Sequence, residues 1–381
     1  MDGTNFVATC LFGLEKLLGA EIDALGCERV YTMDGRVRFR GNAADAARAN
    51  VFLRTAERVF LLCGEEFDAP DFDSLFEGAR AIPWEDFIPA DGVFPVTGHS
   101  IKSRLTSIPA CQKILKKAIS VRLGSAYGMQ TLPETGSLYP VEFFLFKDRC
   151  ALMIDTSGTA LHKRGYRPAA NAAPLRETLA AALCMTARTG EHEDILLWDP
   201  VCGSGTIPIE AAMIASKIAP GAARSFAGES QITTPEKFWR EAREEAAALR
   251  RQTSFRAVGT DIDPRCIETA KANALRAGIG DMIDFRTSDV RDIERPEGVR
   301  GTFICNPPYG ERMMTKAEAE RLYSDMKTAF APFDRWAVYV LTSCEYFERL
   351  FGRKADRRRK LYNGTIPCTY YQFFKPADAA K

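Results

Sequence analysis

Ile195-Leu196-Leu197-Trp198-Asp199-Pro200-Val201-Cys202-Gly203-Ser204-Gly205-Thr206 is the stretch whose reading decides the fold. Its four leading apolar residues read as a strand buried on both faces, as in a parallel sheet, and Asp199 closes it. Gly203 and Gly205 permit a tight turn and a close approach of backbone to a ligand. A helix is expected from near Ser204, carrying Ile207, Ile209, Ala211, Ala212 and Ile214. Strand, acid, glycine turn and helix together place a ligand at the strand's carboxyl end, where helix-start amides favour a carboxylate. A phosphate-binding P-loop needs a Lys after its second glycine, and Thr206-Ile207 supplies none. A dinucleotide fingerprint needs a third glycine where Pro208 stands, so NAD and FAD are excluded.

The same grammar recurs downstream. Phe255 to Thr260 reads as a second strand ending in Asp261-Ile262-Asp263-Pro264, and an acid there suits the two hydroxyls of a ribose, Asp261 better than Asp263. A helix follows with Ile267, Ala270, Ala274 and Leu275 expected on one face. Met282 to Arg286 is a third strand leading to Asp289, placed to accept from an adenine amino group. Thr302 to Cys305 is a fourth, ending in Asn306-Pro307-Pro308-Tyr309. An aromatic exocyclic amine is a poor nucleophile because its lone pair is delocalised into the ring. Acceptors at the Asn306 side chain and the Pro307 carbonyl can take its N–H groups and turn the lone pair outward. Pro307 and Pro308 fix φ, and Tyr309 offers a ring to stack on an extruded base.

These strand ends, in this order, resemble class I S-adenosylmethionine-dependent methyltransferases. The resemblance implies that cofactor and a cofactor-binding set of Asp199, Cys202, Gly203, Gly205, Thr206, Asp261, Ile262, Asp289 and Asn306. Asp199, Gly203 and Gly205 fall near the methionine part, Asp261 on the ribose and Asp289 on the adenine. The side chain of Cys202 itself reads as packing. The catalytic group implied is Asn306, Pro307, Pro308 and Tyr309, acting by positioning and fixed dipoles without a covalent intermediate. Glu311-Arg312, continuing Gly310, is a run similar to that of RNA methyltransferases. One departure stands out: residues 216–254 make a longer connection than usual, and its half from Pro235 to Arg251 reads as an exposed, charged, Ala-rich helix.

Eleven scattered cysteines without a C-x-x-C pair, and only three histidines, make a metal cluster improbable. Carbon-5 pyrimidine methylation needs a nucleophilic cysteine; Cys305 and Cys202 read as core, and Pro367-Cys368 as lying away from the site. Unpaired cysteines, no apolar run long enough to span a bilayer and no basic start at Met1-Asp2-Gly3-Thr4 lead us to expect a cytoplasmic, non-membrane protein.

Net charge is only +1, so distribution matters more than balance. Ile101 to Arg122 holds six Lys/Arg and no acid, with Lys113, Lys116 and Lys117 expected to face outward from a helix whose Ile114, Leu115, Ala118 and Ile119 face inward. Leu161 to Arg167 is also acid-free and adds Lys163, Arg164 and Arg167; Arg353 to Lys360 is a third basic stretch. Sorted charge of this kind predicts a surface that follows phosphates, with those six residues as the RNA-binding candidates.

The opening segment reads strand, helix, hairpin around Asp34-Gly35, helix, strand, which is a ferredoxin-like βαββαβ order. With Ser107-Ile108-Pro109 before the basic helix and Asp155-Thr156-Ser157-Gly158 to Arg167 after it, this half resembles THUMP RNA-binding domains joined to a methyltransferase. The likeness extends through Ala173-Pro174-Leu175-Arg176-Glu177 and Tyr362-Asn363-Gly364. The expected fold is α/β: a Rossmann-like methyltransferase domain at 161–381, preceded by a ferredoxin-like subdomain at 1–55 and a THUMP region at 56–160. The chain most resembles bacterial enzymes methylating guanine N2 in 23S ribosomal RNA, in their shorter single-activity form. A transfer-RNA guanine-N2, DNA adenine-N6 or protein-glutamine methyltransferase, or a non-catalytic RNA-binding assembly factor, stays open.

Overall fold

In the computed structural model, which describes residues 3–167, 175–191, 194–310 and 314–374, the expected amino-terminal order is β1 (Thr4–Cys10), α1 (Glu15–Ala24), β2 (Glu28–Met33), β3 (Arg36–Gly41), α2 (Ala43–Phe52) and β4 (Ala56–Leu62). Gly35 takes φ +74°, which lets the β2–β3 hairpin turn where Asp34-Gly35 predicts it. Asn42 caps α2 through a reciprocal bond pair with Asp45. The chain then adds β5 (Phe67–Asp68), α3 (Phe72–Ala81), β6 (Val96–Ile101), the basic helix α4 (Ile108–Tyr127), β7 (Val141–Phe146) and β8 (Arg149–Asp155).

All of this builds one sheet in the order β2-β3-β1-β4-β8-β7-β6, with β5 pairing β8. No sheet edge separates the ferredoxin-like segment from the strands after it, because β4 is bonded to both β1 and β8. Alternation along β7, with Val141, Phe143 and Leu145 buried, seats its inner face in the core.

Next come α5 (Glu177–Thr186), β9 (Ile195–Asp199), α6 (Thr206–Ala215), α7 (Glu236–Leu249), β10 (Ala257–Asp261), α8 (Pro264–Arg276), β11 (Ile283–Thr287), β12 (Arg300–Cys305), α9 (Lys316–Phe330), β13 (Ala337–Thr342), α10 (Phe347–Phe351), β14 (Arg357–Asn363) and β15 (Ile366–Phe373). Their strands form a second sheet, β11-β10-β9-β12-β13-β15-β14, parallel from β11 to β13 and antiparallel at β15 and β14. Reversal of strand order on either side of β9 makes its carboxyl end the switch point where such sheets bind ligands. An aromatic cluster of Trp198, Phe303, Phe330, Phe333 and Trp336 fills the core on one side of β9 and β12.

The molecule divides into two compact units, one of Met1–Cys10, Leu18–Leu161 and Arg224–Glu245, the other of Leu11–Leu17, His162–Ala223 and Ala246–Lys381. The long connection at 216–254 thus sends its middle part into the first unit. There Gln231 Nε2 donates to the Asp155 carbonyl at 2.9 Å, Gly228 N to the Thr156 carbonyl at 2.8 Å, and Arg48 pairs with Glu245. The expected helix there is exposed over most of its surface, but one narrow face is buried: Trp239 is wholly buried, stacked on Phe226 at 5.0 Å. A correction concerns α8, where Leu275 is 76% exposed and lies off the apolar face made by Ile267, Ala270 and Ala274. Among the described residues, no helix is long and apolar enough to cross a membrane.

Candidate active site

β9 and β12 are neighbours and parallel, with Trp198 opposite Phe303, so both leave the sheet at the same edge. Neighbouring strands lie about 4.8 Å apart, which brings the turn after Asp199 beside the turn at Asn306. β10 lies on the other flank of β9 and β11 beyond it, with Asp261 opposite Thr287.

Gly205 caps α6 at φ +79°, where a side chain would be strained, and a Cβ there would lie 2.8 Å from Phe285 Cζ and 2.9 Å from Ala270 Cβ. Gly203, at φ +51°, has nothing within 4 Å of the place a Cβ would take, so its outer face is open. Its amide donates to Asp261 Oδ2 at 2.8 Å, and the Asp263 amide donates to Asp261 Oδ1 at 3.0 Å. Each carboxylate oxygen keeps a second lone pair, which leaves Asp261 two acceptor positions for a vicinal diol. Ile262 next to it is 67% exposed, an apolar surface at the rim.

Asp199 is buried and accepts the Val201 amide at 3.2 Å. Burial, reinforced by the Asp261 charge, raises its pKa well above the ordinary carboxylate range. Asp289 accepts Arg291 N at 2.9 Å and pairs with the Arg291 guanidinium at 2.5 Å, which holds its carboxyl below the usual range.

Two members of the cofactor set point inward. The Thr206 hydroxyl accepts from Arg167 Nη1 at 2.9 Å, and Cys202 lies under β10, its Sγ 3.2 Å from where a Gly259 Cβ would stand. What these two offer the turn is backbone. Burial also pushes the thiols of Cys202 and Cys305 well above their ordinary pKa, which disfavours a thiolate nucleophile at either.

At the end of β12 the Tyr309 hydroxyl donates to Asn306 Oδ1 and accepts from Asn363 Nδ2 at 3.4 Å. Tyr323 of α9 donates its hydroxyl to the Pro308 carbonyl at 2.8 Å and meets Thr342 Oγ1 at 3.0 Å, pinning the Pro-Pro segment from beneath. Pro307 is buried and Pro308 half-buried. Burial, then the neighbouring Cys368 thiol, raises the Tyr309 hydroxyl pKa, so it stays protonated. Cys368 therefore borders this turn, contrary to the expectation that Pro367-Cys368 lies remote from it. Tyr323 escapes a sequence reading, as does the place of Asn363 and Cys368 beside this turn, because the three come from three later elements. Glu311 and Arg312 lie outside the described residues.

The six basic candidates separate. Lys113 and Lys117 are exposed on α4, beside a groove of about 460 Å³ whose lining includes Val96, Gln112 and Ser120. Lys116 instead spans inward to the Phe94 carbonyl at 3.1 Å and Glu134 at 2.7 Å, which corrects its outward assignment. Lys163 is exposed. Arg164 is 4% exposed and faces Glu210 at 3.6 Å, while Arg167 pairs with Glu177 at 2.9 Å and donates to the Leu175 carbonyl. Both arginines serve the interior because Glu177 and Glu210, on α5 and α6, need buried counter-charges. Within the third basic stretch Arg353 pairs with Asp356 and Arg358 with Glu348.

Sequence comparison agrees with this architecture. Residues 164–372 match the family described as RMKL-like, methyltransferase domain, residues 5–60 the RlmL ferredoxin-like domain and residues 69–155 the THUMP domain. YpsC of Bacillus subtilis (strain 168), named as an RNA methyltransferase, is 44% identical over 98% of this chain and 97% of its own length. Ribosomal RNA large subunit methyltransferase K/L of Aliivibrio fischeri (strain MJ11) is 35% identical over 96% of this chain, which spans only 52% of that relative. A Listeria monocytogenes str. 4b F2365 structure, titled a predicted N6-adenine-specific DNA methylase, superposes with TM-score 0.90 at 45% identity, covering 98% of this chain and 97% of the other. SMU.472, titled as a methyltransferase complexed with SAH, superposes with TM-score 0.91 at 38% identity, covering 98% of each.

Proposed function

We propose a specific reaction for this chain, which belongs to the RMKL-like methyltransferase family and takes S-adenosylmethionine as cofactor: methylation of an exocyclic base nitrogen in RNA, with guanine N2 of 23S ribosomal RNA as the acceptor. The observation that carries the reading is the Asn306–Tyr309 turn set beside the open Gly203 face on adjacent strand ends. When bound, S-adenosylmethionine supplies an electrophilic methyl group on a sulfonium. Asp261 would receive the ribose hydroxyls on its two free lone pairs and Asp289 the adenine amino group, Ile262 would offer an apolar surface to the ring, and Asp199 and the Gly203–Thr206 backbone would hold the methionine end. Asn306 Oδ1 and the Pro307 carbonyl accept N–H groups of the target amine and direct its lone pair at the methyl. As the N–C bond formed, the methyl–sulfur bond would break with S-adenosylhomocysteine as leaving group, and the amine's surplus proton would pass to water. The names of the B. subtilis and A. fischeri relatives and the THUMP domain support RNA as the acceptor.

Asp199 gives this assignment a pH signature. Its carboxyl pKa is raised in the free protein, and a cationic ligand beside it favours the ionised form and lowers that pKa. Binding S-adenosylhomocysteine, whose ammonium is cationic, is expected to release a proton between the two pKa values. Affinity should fall as pH drops through this window. Calorimetry in two buffers of different ionisation enthalpy measures the release, and Asp199→Asn should abolish it.

Double replacement Lys113→Ala/Lys117→Ala is expected to weaken RNA binding and flatten the plot of log affinity against log salt by about 1 to 2 units, one phosphate contact per lysine. An unchanged slope would leave the α4 face as ordinary solvated surface.

Transfer of tritium from labelled cofactor to unmodified 23S RNA, followed by nucleoside chromatography, tests the reading. Label in N2-methylguanosine supports it. Label in transfer RNA, in DNA as N6-methyladenine or in protein would assign a different acceptor, and no transfer would leave a binding protein.

A further inference from the structure

Asn363 closes β14 at the turn before β15, more than fifty residues from the catalytic turn, yet its Nδ2 lies 3.4 Å from the Tyr309 hydroxyl. That hydroxyl is also bonded to Asn306 Oδ1, so three side chains form one chain of hydrogen bonds ending on the amide assigned to the target amine. A tyrosine hydroxyl has a single proton to give and lone pairs with which to receive. The Asn363 amide donates to that oxygen, and of the two groups left to receive its proton, the Asn306 Oδ1 and the weaker acceptor Cys368 sulfur, the amide oxygen takes it. The environment keeps the proton in place, since burial raises the Tyr309 pKa.

A carboxamide presents an acceptor at one end and a donor at the other, and rotation by half a turn about its last bond exchanges them. Asn306 orients an amine only while its oxygen is the end on offer. A Tyr309 proton on Oδ1 opposes the exchanged form, because the –NH₂ end would then face an O–H donor. Oδ1 keeps a second lone pair for the incoming N–H.

We propose that Asn363 is a positioning residue for methyl transfer: acting through the Tyr309 hydroxyl, it fixes Asn306 with its oxygen as acceptor. The assignment rests on the reading of Asn306 given above. Asn363→Asp keeps size and shape but, when ionised, accepts where the wild type donates and draws the Tyr309 proton away from Asn306.

The test uses the full-length protein, labelled S-adenosylmethionine and 23S RNA from cells lacking this protein. Asn363→Asp is expected to lower kcat about tenfold with the KM for cofactor unchanged within about twofold. Asn363→Ala, which removes the donor without adding charge, should fall in the same direction. Asn363→His, whose Nδ1–H reaches about as far as the Asn amide, should retain activity within about threefold. In a Tyr309→Phe background the Asp substitution should cost less than about twofold, because the relaying hydroxyl is gone. Wild-type rates in Asn363→Asp, or the same tenfold loss with and without the hydroxyl, would overturn the proposal while leaving the methyltransferase reading intact. A wild-type protein that methylates no RNA would defeat that reading and this proposal together.

Discussion

Asn306→Ala is expected to cut turnover by about a thousandfold while S-adenosylhomocysteine affinity stays within a few-fold. The magnitude is that of removing a preorganised dipole from a reacting centre, about two to three powers of ten, with the added loss of orientation of a delocalised amine. The selectivity follows from structure. Asn306, the one member of the implied cofactor set on the turn after β12, borders only the methyl end, whereas Gly203, Asp261 and Asp289 follow β9, β10 and β11 and carry the affinity in this account. The Tyr323 bond to the Pro308 carbonyl does not involve the Asn306 side chain, so the turn should keep its shape. Single-turnover rates with bound RNA, beside calorimetry with S-adenosylhomocysteine, measure the two quantities separately. Lost cofactor binding with normal methylation of bound RNA would reverse the role assigned to Asn306.

Asp261→Ala should produce the complementary phenotype, a loss of cofactor affinity of about a hundredfold or more. Its carboxylate accepts the amides of Gly203 and Asp263, so one side chain shapes the cofactor turn and the start of α8 together. Removing it deletes both bonds and the two acceptor positions offered to the ribose; hydrogen bonds to a charged group contribute about 1.5–3 kcal/mol each. Asp261→Asn, retaining one acceptor oxygen, should lie between alanine and wild type. Unchanged affinity in Asp261→Ala would remove Asp261 from the cofactor site.

Much of this was legible in the chain itself, for reasons that differ by element. β9 and its turn could be read because a doubly buried strand is apolar throughout and Gly203 and Gly205 punctuate it. The βαββαβ order could be read because periodicity and Asp34-Gly35 are local signals. Arg164 and Arg167 could not: a basic residue beside no acid in sequence reads as surface, and their partners Glu177 and Glu210 arrive from helices folded over them. Lys116 is hidden alike, its partner Glu134 standing on a later loop. Trp239 was hidden by the charge around it, since the face it buries is narrow on a helix otherwise solvated. Asn363 and Cys368 reach Tyr309 only because β14 and β15 return antiparallel at the sheet's edge, a long-range pairing no local pattern announces.

The most direct measurement of the central claim is quantitative mass spectrometry of nucleosides from purified 23S RNA and transfer RNA in three strains: wild type, a deletion of this protein, and the deletion carrying Asn306→Ala. The account predicts that N2-methylguanosine in 23S RNA falls on deletion and is not restored by Asn306→Ala. Unchanged N2-methylguanosine in 23S RNA across all three strains would contradict it.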